Sequence, residues 1–442
     1  MPEVGFEPTR PEGHGILSAA SLPFLHSGAV ETIAPASGDN RPLVDDAGRI
    51  ELIRELCSFE RRGPGTDAER RAANMLAGRL RSLGRRADVE PTYVHPQYAL
   101  VHALHAAIAI AGSVIATVQP AVGFGLVFLA ATSIYLDLNG RFYLLRRLFF
   151  RRASQNVVSP GANPDAPLRV ILTAHYDAAR TGFVFGERMH RAAHRLSPRW
   201  RLLLGPYRLL FWGGFAPLLP ILGARMAGVD AQWLSVLQLL PTVVLIVAVF
   251  LLVDIALSEI VPGAYDNASG VAAVVSAATA FEADPPANVD VWIVLTGAEE
   301  CNCEGMRSFV RTHRRDFDKE RTVFVNVDAA SWGEVHYEVA EGAIVSLNLD
   351  AELIELCEAL GAAGQTARPV RSPLLSDALP ARTHGFRAIS ISSLADGVLP
   401  PWYHAPEDIP DRVQPAPLAR TTEFVVSLVR LLDRGAGRSR PR

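Results

Sequence analysis

The apolar positions of this chain fall into three patterns: helical spacing, short unbroken runs and long unbroken runs. Ile50, Leu52, Ile53 and Leu56 recur at helical spacing from Asp46 onward, and a second amphipathic stretch fills 66–83 before Gly84 supplies a stop. These predict two helices that lead into a domain. Short β-branched runs at 168–174, 289–296 and 322–327 read as strands buried on both faces, and helical patterns follow at 270–281, 305–317 and 351–360. Strands alternating with helices predict an α/β fold, with a mostly parallel central sheet between helix layers.

The long runs need a separate explanation. Segments 98–118 and 121–136 are separated by Gln119-Pro120, and each approaches the length of a helix that crosses the hydrocarbon layer. Segment 209–223 is short and contains Pro217 and Pro220, whereas 233–257 is long and most apolar at 243–253. The competing reading is of buried core helices or a lid, but runs this apolar with so few charges are costly to leave in water. The expected organisation is a domain built from 46–97, 153–203 and 258–435, interrupted by two transmembrane hairpins at 98–140 and 204–257, about four transmembrane helices in all. Asp254 and Gln238 are expected near the ends of their span, and His102 and His105 within the helix bundle. Residues 1–45 are aperiodic and lack the basic start, apolar stretch and small-residue cleavage site of a secretory signal, so they are expected to be disordered, as is the tail 436–442.

Charge sets an orientation. Arg141, Arg146, Arg147, Arg151 and Arg152 follow the first hairpin, and Arg191, Arg195, Arg199, Arg201 and Arg208 precede the second, while the hairpin tips carry only Arg225. The positive-inside bias places the arginine-rich ends, and with them the polar domain, on the cytoplasmic side. Cys57, Cys301, Cys303 and Cys357 are scattered, which suits free thiols in a reducing compartment. Over 442 residues the formal charge is only −3, and Lys319 is the sole lysine, so no strongly basic face invites nucleic acid.

Ionisable residues cluster at strand ends. The run at 168–174 leads into His175-Tyr-Asp177, that at 289–296 into Glu299-Glu300, and that at 322–327 into Asp328. The carboxyl ends of strands in an open α/β sheet line one crevice, so these residues converge. Asp266, in Tyr265-Asp-Asn-Ala-Ser-Gly270, could alone be a helix cap, and His404, in Trp402-Tyr-His-Ala-Pro-Glu-Asp408, is ambiguous alone. Together, two imidazoles and several carboxylates form the mixed nitrogen and oxygen set that suits a pair of zinc ions sharing one carboxylate.

In these motifs the chain resembles the co-catalytic, di-zinc aminopeptidase family, which also contains glutamate carboxypeptidase and glutaminyl cyclase relatives. The matching residues are His175-Tyr-Asp177, Asp266-Asn-Ala-Ser-Gly270, Gly297-Ala-Glu-Glu300 with Gly305, Asp328, Ser376-Asp377 and Tyr403-His404. The resemblance implies a three-layer α/β/α zinc-peptidase fold and two zinc ions, with manganese or cobalt as substitutes. It implies that Asp266 bridges the ions, that His175 and Asp328 complete one and Glu300 and His404 the other, and that Glu299 is the general base. Asp177 is expected to orient His175, Ser376, Asp377 and Tyr403 to position substrate, and the Asp266-Asn267 bond to be cis. The expected partners are a peptide substrate and a lipid bilayer, and the expected reaction is removal of an N-terminal residue.

The chain departs from the family in three places. The hydrophobic zones stretch the spacing around His175, Cys301-Asn-Cys303-Glu304 replaces a less polar connection, and Ala378 stands where many relatives have His. Two other readings remain in view: a one-zinc glutaminyl cyclase, and an inert membrane scaffold carrying a relic peptidase domain.

Overall fold

A computed structural model describes residues 45–438. The disorder expected at 1–44 and 439–442 lies outside the described residues. Asp45 is ordered as the N-cap of the first helix, and the last helix runs to Arg438, so residues 436–438 are helical where a tail was expected.

Helices α1 (Asp46–Cys57) and α2 (Asp67–Ser82) match the two amphipathic runs. Thr66 caps α2 by accepting from the Glu69 amide at 3.1 Å, and the Glu69 carboxylate reaches back to the Gly65 amide at 2.8 Å, so the helix start is doubly satisfied. Then come β1 (Asp88–Val94), the long apolar helices α3 (Tyr98–Ile115) and α4 (Pro120–Leu138), and the strands β2 (Arg152–Ser159) and β3 (Leu168–His175). Two short helices, α5 (Glu187–His194) and α6 (Pro198–Leu203), precede a second apolar unit. Its first helix is α7 (Pro206–Arg208) continued by a π-helical stretch, Leu209–Phe215, into α8 (Ala216–Met226); its second is α9 (Gln232–Leu257).

The remaining chain alternates as expected. It gives α10 (Ser269–Ala283), β4 (Val289–Thr296), α11 (Glu304–His313), β5 (Thr322–Val327), β6 (Glu334–Glu341), β7 (Leu347–Asn348), α12 (Ala351–Ala362), β8 (Ala367–Arg371), α13 (Ala378–Thr383), β9 (Arg387–Leu394) and α14 (Pro415–Arg438).

The nine strands form one sheet in the order β1-β2-β4-β3-β5-β9-β6-β7, with β8 on β6. Its four central strands, β4, β3, β5 and β9, are parallel, while β2 on β4 and β6 on β9 are antiparallel. The sheet is therefore mixed, parallel only where helical crossovers separate the strands. Alternation divides the core: Val170, Leu172 and Ala174 of β3 face α1, α10 and α14, while Ile171 faces Met306 and Phe309 of α11. Each such side chain contributes roughly 1.5–3 kcal/mol on burial, and the outcome is three layers.

α3, α4, α8 and α9 form a separate bundle with its own core, in which Ala103, Ala106, Ala130 and Leu245 are buried. Gly112 and Gly123 let α3 and α4 touch; a Cβ on Gly112 would lie 2.8 Å from the Gly123 carbonyl oxygen. The outer face of the bundle is apolar and open, with Val118, Leu240 and Phe250 more than two-thirds exposed. Four helices, including the continuous unit Pro206–Met226, are long and apolar enough to cross a membrane. The polar residues inside the bundle are internally satisfied. His102 meets Asp137 at 3.0 Å and Tyr207 at 3.1 Å, His105 meets Ser133 at 2.8 Å, and Gln238 donates to the Ser113 carbonyl at 2.6 Å. Asp254, near the end of α9, accepts from the Phe183 amide at 2.6 Å.

Candidate metal centre

Strand order places the chemistry. β3 lies between β4 and β5, and His175 is in register with Thr296, so His175, the turn after β4 and Asp328 emerge side by side at one sheet edge. The turn after β4 is tight: a Cβ on Gly305 would lie 1.8 Å from the Gly297 carbonyl oxygen, so only glycine permits that approach. Glu69 fixes the same turn by accepting from the Ala298 amide at 3.0 Å.

Asp266 is not the helix cap. The backbone at Asp266 and Asn267 is non-helical and the bond between them is cis. Asn267 does the capping: its Oδ1 accepts from the amides of Gly270 and Ala329, each at 2.9 Å, and its Nδ2 donates to the Val327 carbonyl at 3.0 Å. Asp408 braces the other side, its carboxylate accepting from the amides of Tyr265 at 2.7 Å and Asp266 at 3.1 Å. Burial pushes the Asp408 carboxyl up to about 7. The buried Arg62 donates to the carbonyls of Tyr176 and Gly263, tying the His175 strand end to the Asp266 loop.

The result is convergence. His175 Nε2 lies 3.0 Å from Asp266 Oδ1 and 3.5 Å from Asp328 Oδ1. His404 Nε2 lies 2.9 Å from Asp266 Oδ2 and 3.5 Å from Glu300 Oε1. Asp266 thus offers one oxygen to each imidazole, and each imidazole has a further carboxylate beside it.

Burial works against charge on His175, yet Asp328, Asp177 and Asp266 hold its imidazole well above the usual range. Burial raises Glu299, Glu300 and Asp328, and neighbouring carboxylates raise them further. Burial also opposes ionisation of Asp266, but its bonds to both histidines keep it below the ordinary carboxylate range. Glu300 Oε1 is buried without a hydrogen-bond partner. His175, Asp266 and Glu300 present ligand atoms within 4.8 Å of one another. Crowded carboxylates, an orphaned oxygen and two imidazoles on one shared acid have the donor chemistry that suits divalent cations.

The remaining residues singled out in the sequence surround this group. Asp177 lies beside His175 Nδ1 with both its carbonyl, at 3.2 Å, and its carboxylate, at 3.5 Å. The carboxylate also accepts from the amides of Glu299 at 3.0 Å and Glu300 at 3.1 Å, so it sets the path of that turn. Ser376 and Asp377 are buried as His175 and Asp266 are; Ser376 accepts from the Ala378 amide, Asp377 accepts from Thr296, and Asp377 lies with Cys303 and Glu299 in a group whose ligand atoms are within 4.8 Å of one another. Tyr403 does face the centre, its ring stacked on His404 at 3.9 Å between centroids. All four cysteines are free, and Cys303 Sγ donates to Glu299 Oε1 at 3.1 Å. Arg62, Glu69 and Asp408 had not been anticipated, although the Thr66-x-x-Glu69 capping pattern was readable.

Comparison with known proteins agrees with this geometry. Residues 249–429 match the model of Peptidase family M28. No curated protein matches the chain. Among solved structures, the zinc aminopeptidase BSAP from Bacillus subtilis superposes with a TM-score of 0.52 at 14% identity, covering 88% of this chain and 96% of that one. Bacteroides thetaiotaomicron glutaminyl cyclase gives 0.50 at 14% identity, covering 88% and 99%, and LapB from Legionella pneumophila gives 0.50 at 13% identity, covering 93% and 76%. At these identities the likeness establishes the fold. Residues 249–429 are thus similar to Peptidase family M28, and the mixed α/β fold that carries the imidazole-carboxylate centre is the fold of the zinc aminopeptidase BSAP.

Proposed function

We propose that this protein is a membrane-anchored, two-zinc aminopeptidase that removes N-terminal residues from peptides. The observation that carries the reading is Asp266 held between His175 and His404 at 3.0 and 2.9 Å, each histidine with its own second carboxylate.

Asp266 would bridge the two ions, His175 and Asp328 would complete one, and Glu300 and His404 the other. When bound, the ions lower the pKa of a water and polarise the scissile carbonyl. Glu299, beside the ligands but outside the set, accepts the proton of the attacking water and passes it to the leaving amine. Asp177 holds the Glu299 and Glu300 amides, and Cys303 donates to Glu299, so the base has a fixed direction. Tyr403 on His404 supplies an aromatic wall for the substrate.

α3, α4, the Pro206–Met226 unit and α9 anchor the domain in the bilayer. The arginines at their ends support a cytoplasmic side for it, in keeping with the four free thiols. A glutaminyl cyclase shares the fold and works with one zinc, but the pairing of both His175 and His404 with Asp266, and of Asp328 with His175, favours two ions and hydrolysis. Detergent-solubilised protein offered a library of aminoacyl reporter substrates should release the reporter, and a chelator should abolish the release. Absence of chelator-sensitive turnover across the library would favour the inert scaffold.

A further inference from the structure

A second concentration of charge lies apart from the metal centre, where α4 leaves the apolar bundle. A cavity of about 480 Å³ opens there between the 143–151 segment, β1 and α11, and Arg147, Arg151, Arg307 and Arg311 line it with Tyr143. Glu304 is the one acid in the lining, and Arg146 engages it at 2.7 Å. The four lining guanidiniums have no carboxylate partner among the described residues.

Three groups in this lining are unsatisfied: His95 Nδ1, the Tyr143 hydroxyl and one nitrogen of Arg307. Arg307 is 5% exposed; its Nε donates to the Asn302 carbonyl at 2.8 Å, but its Nη2 is buried with no hydrogen-bond partner. The Tyr143 hydroxyl is likewise buried and unpartnered. Unmet buried donors are costly, so an acceptor beside Arg307 is favoured. The 143–151 segment also carries open apolar side chains, with Phe149 in the lining and Leu148 74% and Phe150 57% exposed. Arg151 is held over Tyr93, 5.7 Å from the ring centre, which orders its guanidinium at the mouth.

We propose that this cleft binds a phosphate-bearing anion. Several guanidiniums with a hydroxyl match the size, charge and acceptor count of a phosphate group. The position beside the end of an apolar helix, with open apolar side chains in the 143–151 segment, favours an acidic phospholipid headgroup as the source. Because Arg307 also grips Asn302, two residues beyond Glu300, ligand and metal-site turn share one side chain. The site itself is independent of whether the protein hydrolyses peptides.

The test is the thermal unfolding midpoint of the full chain in neutral detergent, which reads no turnover. Added short-chain phosphatidylglycerol should raise the midpoint by several degrees in a saturable way, and short-chain phosphatidylcholine should not. Inorganic phosphate forms a third arm: no shift with it identifies the lipid as the source, while an equal shift identifies a soluble anion in the same site. The combined exposed-residue variant Arg147→Gln, Arg151→Gln and Arg311→Gln should keep the unliganded midpoint and lose the shift. No shift with either anion, an equal shift with phosphatidylcholine, or a full shift in the variant overturns the proposal.

Discussion

Arg146 Nη1 lies 2.7 Å from Glu304 Oε1, joining the exit of the first apolar hairpin to the helix that follows Glu299 and Glu300. The same guanidinium meets the Asp137 carboxylate at 2.5 and 2.9 Å and the Cys301 carbonyl at 3.0 Å, and Arg146 is fully buried. Removing it leaves two buried carboxylates without their cation.

Arg146→Met should therefore destabilise the protein by about 3–5 kcal/mol, as loss of one partner of a buried ion pair does. Denaturation in detergent measures this. A loss below about 1 kcal/mol, the worth of an exposed pair, would contradict the network.

Glu299→Gln removes the base and spares the ligands. Its kcat should fall by about 10²- to 10⁴-fold, with KM little changed and metal content equal to that of the parent. Full activity in a metal-loaded variant would remove Glu299 from the mechanism.

Metal binding should weaken as pH falls. In the metal-free centre the surroundings favour protonated His175, Glu300 and Asp328, all three held above their usual ranges. Each must lose its proton before it can ligate, so acid competes with metal and binding releases protons. Calorimetric titration of zinc into stripped protein, in buffers of different ionisation enthalpy, should show proton release and lower affinity at lower pH. An affinity independent of pH would count against these ligands.

Gly305→Ala would put a Cβ 1.8 Å from the Gly297 carbonyl oxygen. The turn must shift, at about 1–3 kcal/mol for such overpacking, and Glu300 moves with it. Reduced metal content at a lowered unfolding midpoint is expected; unchanged metal content would show that the turn does not set the ligand.

What could be read from sequence follows burial. β3, β4 and β5 announced themselves because both of their faces are covered, which demands unbroken apolar runs ending at the chemistry. β8 gave no such signal, since three of its five residues are exposed, and β9 hid behind buried serines such as Ser390, which accepts from Asn326. His175, Asp266, Glu300, Asp328 and His404, which converge in the fold, were legible by type and order. Arg62, Glu69 and Asp408 were not, because a buried charge is explained by partners far away in sequence. The role of Asp177 turned on which way its carboxylate faces, and spacing alone does not specify that.

Metal content bears most directly on the central claim. Elemental analysis of the purified protein should find two zinc ions per chain, and Asp266→Ala, which removes the shared carboxylate, should lose both. A parent that binds no metal, or an Asp266→Ala variant that keeps two, would contradict the assignment.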